Sequence, residues 1–190
     1  MSVQVAAVLF VLFLGAQRLY ELFVSRRHER ALREKGAVEF GASHFPLLVA
    51  VHVLLLLGIL FEVLVLGARP SWWWPRAFAV FVAAQMLRYS AIRALGPYWN
   101  VRVLVVPGTR LVTTGPYKYV KHPNYIAVFL EVIAAPLMFG AWRTSLVVGA
   151  LNAIALFIRI RCEDEALNSH GVTGTAAGGS RTKRRGTKRG

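Results

Sequence analysis

The 190-residue chain is 56% hydrophobic and carries a formal net charge of +14. Its length suits one domain, and its apolar residues fall in blocks long enough to cross a bilayer, at about 20 residues per helix, which argues against a soluble globular fold and for a multi-pass membrane protein. The charge does not point to nucleic acid: six cations lie in the last ten residues and most others lie between apolar blocks, a placement that orients a chain in a membrane and attracts anionic lipid.

Five spans are predicted in an all-α membrane fold. The first covers about Val3–Val24 and lacks the basic lead and small-residue cleavage site of a signal peptide, so it reads as a retained helix. The charged segment S-R-R-H-E-R-A-L-R-E-K-G follows it. The second span is about Phe45–Leu66, ending at R-P-S-W-W-W-P-R, whose tryptophans suit the membrane interface. The third is about Ala77–Leu95. A long polar stretch, Gly96–His122, contains V-R-V-L-V-V-P-G-T-R-L-V-T-T, read as a short hairpin or extended loop around a Pro-Gly turn. The fourth and fifth spans, about Tyr125–Phe139 and Ser145–Ile160, are short and separated by a tight turn, which predicts an antiparallel hairpin. Residues 1–168 are taken as the membrane domain and 169–190 as a disordered basic tail.

Cations crowd the 25–44 loop, the 96–122 stretch and the C-terminal end, whereas the other two loops hold only Arg69, Arg76 and Arg143. The positive-inside rule then puts the N-terminus outside and the C-terminus in the cytosol. Cys162 is the only cysteine, so no intramolecular disulfide forms.

Ionisable groups within spans are costly and mark candidate functional sites. Here they are His52, Glu62, Arg88, Glu131, Arg159 and Glu163, with Asn152 as a polar companion. Arg18 and Glu21, three apart near a helix end, can simply pair. On the fifth span Arg159 and Glu163 each point within about 20° of Asn152. Arg159 and Glu163, four apart, form either a structural ion pair or part of a polar wall on a cavity. Glu131, about two turns into the fourth span, needs a partner, for which Arg159 or Asn152 is the candidate. Lys121-His122-Pro123-Asn124 alone is also an ordinary helix start. The five histidines show no metal spacing, and no phosphate loop, dinucleotide fingerprint or nucleophile elbow is present.

Gly115-Pro116-Tyr117 running into Lys121-His122-Pro123-Asn124-Tyr125, followed later by Arg159-Ile160-Arg161-Cys162-Glu163-Asp164-Glu165-Ala166-Leu167, resembles the paired signatures of the isoprenylcysteine carboxyl methyltransferase family. The stretch from Glu21 to Pro46 resembles a prokaryotic branch that includes alkylpyrone O-methyltransferases. Ala127 stands where the family usually has glycine, and Asp164 where it has a second glutamate. The resemblance implies S-adenosylmethionine bound without a Rossmann domain, with Tyr117, His122, Pro123, Tyr125, Glu163 and Asp164 around it. It implies a lipophilic or prenyl-type acceptor entering from the membrane lipids. The charge placement leaves no nucleic acid expected, and the polar residues within the spans make Arg159, Glu131 and Asn152 the candidates for the catalytic side. A phospholipid N-methyltransferase and a non-catalytic membrane protein are the alternatives.

The charge pattern makes a direct prediction. In a Cys162→Ser background, cysteines placed at Ser43 and Ser71 should label from opposite sides of the membrane; labelling from one side contradicts the five-span arrangement.

Overall fold

The computed structural model describes residues 2–169. Five helices carry the fold: α1 (Val3–Glu34), α2 (Phe45–Leu64), α3 (Trp74–Leu95), α4 (Pro123–Leu137) and α5 (Trp142–Ser169). Two short strands, β1 (Val38–Phe40) and β2 (Val103–Val105), lie in the connections after α1 and after α3. Four of the helices are long and apolar enough to cross a membrane; α4, with 15 residues, is shorter. The chain is a multi-pass integral membrane protein of helical fold.

The helix ends depart from the sequence reading. The charged segment after residue 24 does not form a loop, because α1 runs on to Glu34. Its cations are spaced along the extension, and Arg33 pairs with Glu29 one turn earlier, at 2.7 Å. The fifth span is long rather than short: α5 has 28 residues, about 42 Å of helix, more than the roughly 30 Å of hydrocarbon it must cross. Ser169, read as the start of the tail, is its last residue; residues 170–190 lie outside the described part.

The stretch around the Pro-Gly turn also folds differently. It makes no hairpin with itself. Strand β2 pairs antiparallel with β1, matching Val38 to Val105 and Phe40 to Val103. Val103 and Val105, on one face of β2, are buried with Ala166 of α5, and Phe40 and Leu167 pack beside them. Docking that face on α5 leaves the strand edge for β1. Ion pairs clasp the ladder: Glu39 meets both Arg33 and Arg102, and Arg102 also approaches Glu29 at 3.6 Å. Burial alone would raise the Glu39 carboxyl, but the hydrogen bonds from Arg102 and Arg33 hold it below its ordinary value.

At the other end of the bundle, α4 and α5 form the antiparallel hairpin that the tight turn predicts. Ala141 N–H donates to Pro136 O at 3.0 Å and Gly140 N–H to Leu137 O at 3.1 Å, a Schellman closure. Gly140 has φ +77°, and a Cβ there would lie 2.1 Å from the Arg69 carbonyl oxygen, so glycine is required on both counts. Glu62 of α2 accepts hydrogen bonds from the backbone N–H of Thr144 and, at 2.7 Å, from its hydroxyl. A carboxylate there satisfies orphan donors at the start of α5 and faces the positive end of its dipole.

The interior is mostly aliphatic, with one polar knot. Arg18 of α1 contacts Glu21 at 3.0 Å and Glu131 of α4 at 3.2 Å. Arg88 of α3 donates to Glu21 through Nε at 2.8 Å and approaches Glu131 at 3.6 Å. Gln17 extends the knot to Gln85 at 2.9 Å. Glu131 therefore does not pair with Arg159 or Asn152; its partners come from α1 and α3. Arg18 and Glu21 do pair, as their spacing allows, but as half of a larger cluster.

Removing one member leaves a buried charge uncompensated. Arg88→Met should cost about 3–5 kcal/mol, measured by equilibrium unfolding in micelles. The two residues are coupled, so Arg88→Met/Glu21→Met should lose clearly less than the sum of the single variants; strict additivity contradicts the cluster.

Candidate functional site

The site assembles where α4 begins and α5 ends. Pro123 sets the first turn of α4, where its missing N–H costs nothing. His122 occupies the cap position without capping the helix. Its side chain is thereby left to reach α5, where Nε2 lies 2.9 Å from Asp164 Oδ1. Lys121 meets the same oxygen at 2.7 Å. Two residues into the helix, the Tyr125 ring stacks on His122 with centroids 5.4 Å apart. The Tyr125 hydroxyl donates to Glu163 and accepts from Arg159 Nε, the latter at 3.1 Å.

One helical turn separates Arg159 from Glu163, so both reach the same phenol from one face of α5. They do not pair with each other; Tyr125 stands between them. Arg159 also donates to the backbone carbonyl of Val101. That carbonyl is itself held in place. Val101 N–H donates to Ser25 Oγ at 3.0 Å, and the Asn100 side chain donates to Ser25 O at 2.9 Å. The 99–101 loop is thus fastened to α1, and His28 adds a contact to Trp99 O at 2.8 Å.

Arg159 is 5% exposed, yet among the described residues no carboxylate lies within ion-pair distance of it. Its hydrogen-bond partners are a phenol and an amide carbonyl, both neutral. A buried cation that reaches its nearest carboxylate, Glu163, only through a phenol still attracts a further anion.

Two cavities meet here. The larger, about 470 Å³, has a polar wall that includes Arg159, Tyr125, His122 and Tyr117. Its opposite wall is apolar, from α1 and α2, and includes Leu19, Val49 and Val53, which are exposed at the bundle surface. The cavity therefore opens sideways. The smaller, about 280 Å³, lies under the 111–122 loop and reaches Leu167. Tyr117 and His122 border both. Burial, with help from the Glu163 charge, pushes the Tyr117 phenol above its ordinary value, so it remains a hydrogen-bond donor at neutral pH.

Tyr117, His122, Tyr125, Arg159, Glu163 and Asp164 thus lie together where α4 meets α5, with Pro123 in the first turn of α4. Two residues do not join them. Glu131 sits in the ion cluster, 2% exposed. Asn152 is fully buried on α5, and neither atom of its amide finds a hydrogen-bond partner among the described residues; neither residue lines the larger cavity. Sequence reasoning missed the 99–101 loop, which carries no ionisable group, and set Arg18 aside as half of a local pair although it lines that cavity.

Tyr125 is the joint of this arrangement. Tyr125→Phe removes a bond from a cation and a bond to a carboxylate, each worth about 1.5–3 kcal/mol. Thermal melts in detergent should show a clear loss of stability; an unchanged melting temperature contradicts the bridge.

The chain matches the isoprenylcysteine carboxyl methyltransferase (ICMT) family over residues 77–169, from the third helix to the last described residue. It is 43% identical over 164 residues to the uncharacterized protein YpbQ of Bacillus subtilis, covering 86% of this chain and 98% of that one. An uncharacterized protein of Haemophilus influenzae is 29% identical over 154 residues, covering 80% and 90% respectively. No solved structure matches. With both signature segments folded into one site and a near-full-length bacterial relative beside the family match, the chain belongs to the isoprenylcysteine carboxyl methyltransferase family and is a membrane methyltransferase of that type.

Proposed function

We propose that the protein is an S-adenosylmethionine-dependent O-methyltransferase whose acceptor is a lipophilic acid, either an isoprenylcysteine-like carboxylate or an acidic enol such as an alkylpyrone. The observation that carries this reading is Arg159: buried, without a carboxylate partner, and lining a cavity that opens toward lipid. An anionic acceptor supplies a direct counter-charge.

The residues where the start of α4 meets the end of α5 fit the cofactor. Glu163 and Asp164 are partly exposed carboxylates suited to an ammonium group or a ribose diol. The stacked His122 and Tyr125 rings offer a flat face beside them. Bound there, S-adenosylmethionine would supply a methyl group already activated by its sulfonium. His122, which lines the larger cavity and bonds Asp164, then stands between donor and acceptor.

Because methyl transfer is an in-line displacement, the protein's main task is alignment. Arg159 is oriented in advance by Tyr125 and Val101 and holds the acceptor oxygen at the end of the cavity. An ionised acceptor needs no proton removed, so no strong base is required. Arg159 disfavours a protonated amine, and this argues against an N-methylating role. The apolar α1–α2 wall accommodates the tail and excludes water from the reacting end.

The assignment separates two groups of residues. Glu163→Gln and His122→Ala should weaken S-adenosylmethionine binding, Glu163→Gln by about one to two decades, read by calorimetry on purified protein. Arg159→Gln should leave that affinity within a few-fold and lower kcat/KM for a prenylated or long-chain acid acceptor. Wild-type cofactor affinity in both Glu163→Gln and His122→Ala would sink the assignment.

A further inference from the structure

The larger cavity has a second polar end that this mechanism leaves unused. On its α2 wall, His52 stands among Leu48, Val49, Val53 and Leu56. Its Nδ1 lies 2.8 Å from the Leu48 carbonyl oxygen. A carbonyl cannot donate, so Nδ1 carries a proton and, in the neutral ring, Nε2 presents a lone pair. Nε2 has no hydrogen-bond partner among the described residues, and it is not among the side-chain atoms sealed inside the protein. A bare acceptor on an otherwise aliphatic stretch of helix is unfavourable unless something donates to it.

The surroundings restrict what that donor is. Arg18 lines the same cavity, and its charge acts on the imidazole. Arg18 is already matched by Glu21 and Glu131, and with Arg88 the cluster sums to zero. A further ion at this end would be uncompensated in a low-dielectric setting. The complementary group is therefore uncharged, and it donates a hydrogen bond.

Position separates this end from Arg159. Arg18 is anchored on Glu131, which lies six residues beyond Tyr125 on α4, roughly 9 Å along the helix axis. His52 on α2 and Arg159 on α5 therefore address the cavity from different helices and offer opposite chemistries, a hydrogen-bond acceptor and a cation.

We propose that His52 is a specificity-determining residue, whose Nε2 accepts a hydrogen bond from a neutral hydroxyl of the lipid acceptor while a second, ionised oxygen of the same molecule meets Arg159. The proposal rests on the reading that the larger cavity holds the acceptor.

The test compares two lipids of equal chain length, a 4-hydroxy-6-alkyl-2-pyrone, whose one hydroxyl is an ionised enol, and the same pyrone carrying a second, neutral hydroxyl on its alkyl chain. Full-length protein in nanodiscs with S-adenosylmethionine is assayed for methyl transfer, and its melting temperature is recorded with each lipid. Wild type should favour the two-hydroxyl lipid by about threefold to tenfold. His52→Phe should remove that preference by lowering kcat/KM for the two-hydroxyl lipid alone, and His52→Gln, whose amide oxygen accepts, should restore part of it. The melting shifts should rank the lipids in the same way, so the residue is tested even if no methyl is transferred. No preference in wild type by either readout overturns the proposal, as does a preference that survives His52→Phe. Should His52→Phe not fold, His52→Leu takes its place, and a preference that survives in that variant overturns the proposal equally. Arg159→Gln should depress both lipids alike. Its failure to do so would count against the acceptor reading, while the His52 comparison stands or falls on its own lipid pair.

Discussion

The fold turns on four charges that have no water to retreat to. Arg18, Glu21, Arg88 and Glu131 come from three helices and sum to zero. In a low-dielectric interior each alone would be prohibitive; together their attraction offsets the desolvation only if the geometry is good. That condition fixes the rotation of α1, α3 and α4 about their own axes. Aliphatic contacts could tolerate a helix turned by some tens of degrees, but a guanidinium placed between two carboxylates could not. The same cluster walls one end of the larger cavity with Arg18, Glu21 and Arg88, so the interaction that orients the helices also shapes that cavity.

The opposite end of that space is built on the reverse logic. Glu163 lies one turn from Arg159 and would neutralise it directly, but the Tyr125 hydroxyl is inserted between them. Asp164 is occupied by Lys121 and His122. The β1–β2 ladder and its ion pairs, together with Ser25, hold the 99–101 loop so that Val101 meets the guanidinium. Arg159 is thus held in place by neutral groups, and it meets Glu163 only through the Tyr125 hydroxyl. A cation already oriented loses little freedom when a ligand arrives, which favours capture of an anion in a fixed pose.

Much of this was legible in the chain. Blocks of apolar residues announced the helices, the Gly-Ala-Trp-Arg-Thr turn announced the α4–α5 hairpin, and Lys121-His122-Pro123-Asn124-Tyr125 with Arg159, Glu163 and Asp164 marked the site. Helical spacing sufficed there because the residues share one turn or one face. It failed for Glu131, whose partner Arg18 is 113 positions away; local periodicity carries no information about which helix faces which. It failed for β2 because β-branched content predicts a strand but not the strand it joins. It failed at the ends of α1 and α5, where charged residues that suit a loop equally suit a helix running beyond the hydrocarbon.

Asn152 marks the limit of arguing from a stripe. It shares the face of Arg159 and Glu163, as the spacing implies, but it lies about two turns deeper, where α5 packs against α2 and α4, outside the lining of the larger cavity. Facing the same direction is not the same as facing the same space, because the larger cavity ends where the helices close together. His52 is the converse case. No motif includes it, and on an apolar helix it looks like an isolated cost. Its ring nevertheless lines the cavity, with one nitrogen committed to the backbone and the other left open. In a chain whose interior otherwise pairs its charges, the polar atoms that remain unmatched and lie on open space indicate where a ligand completes the structure.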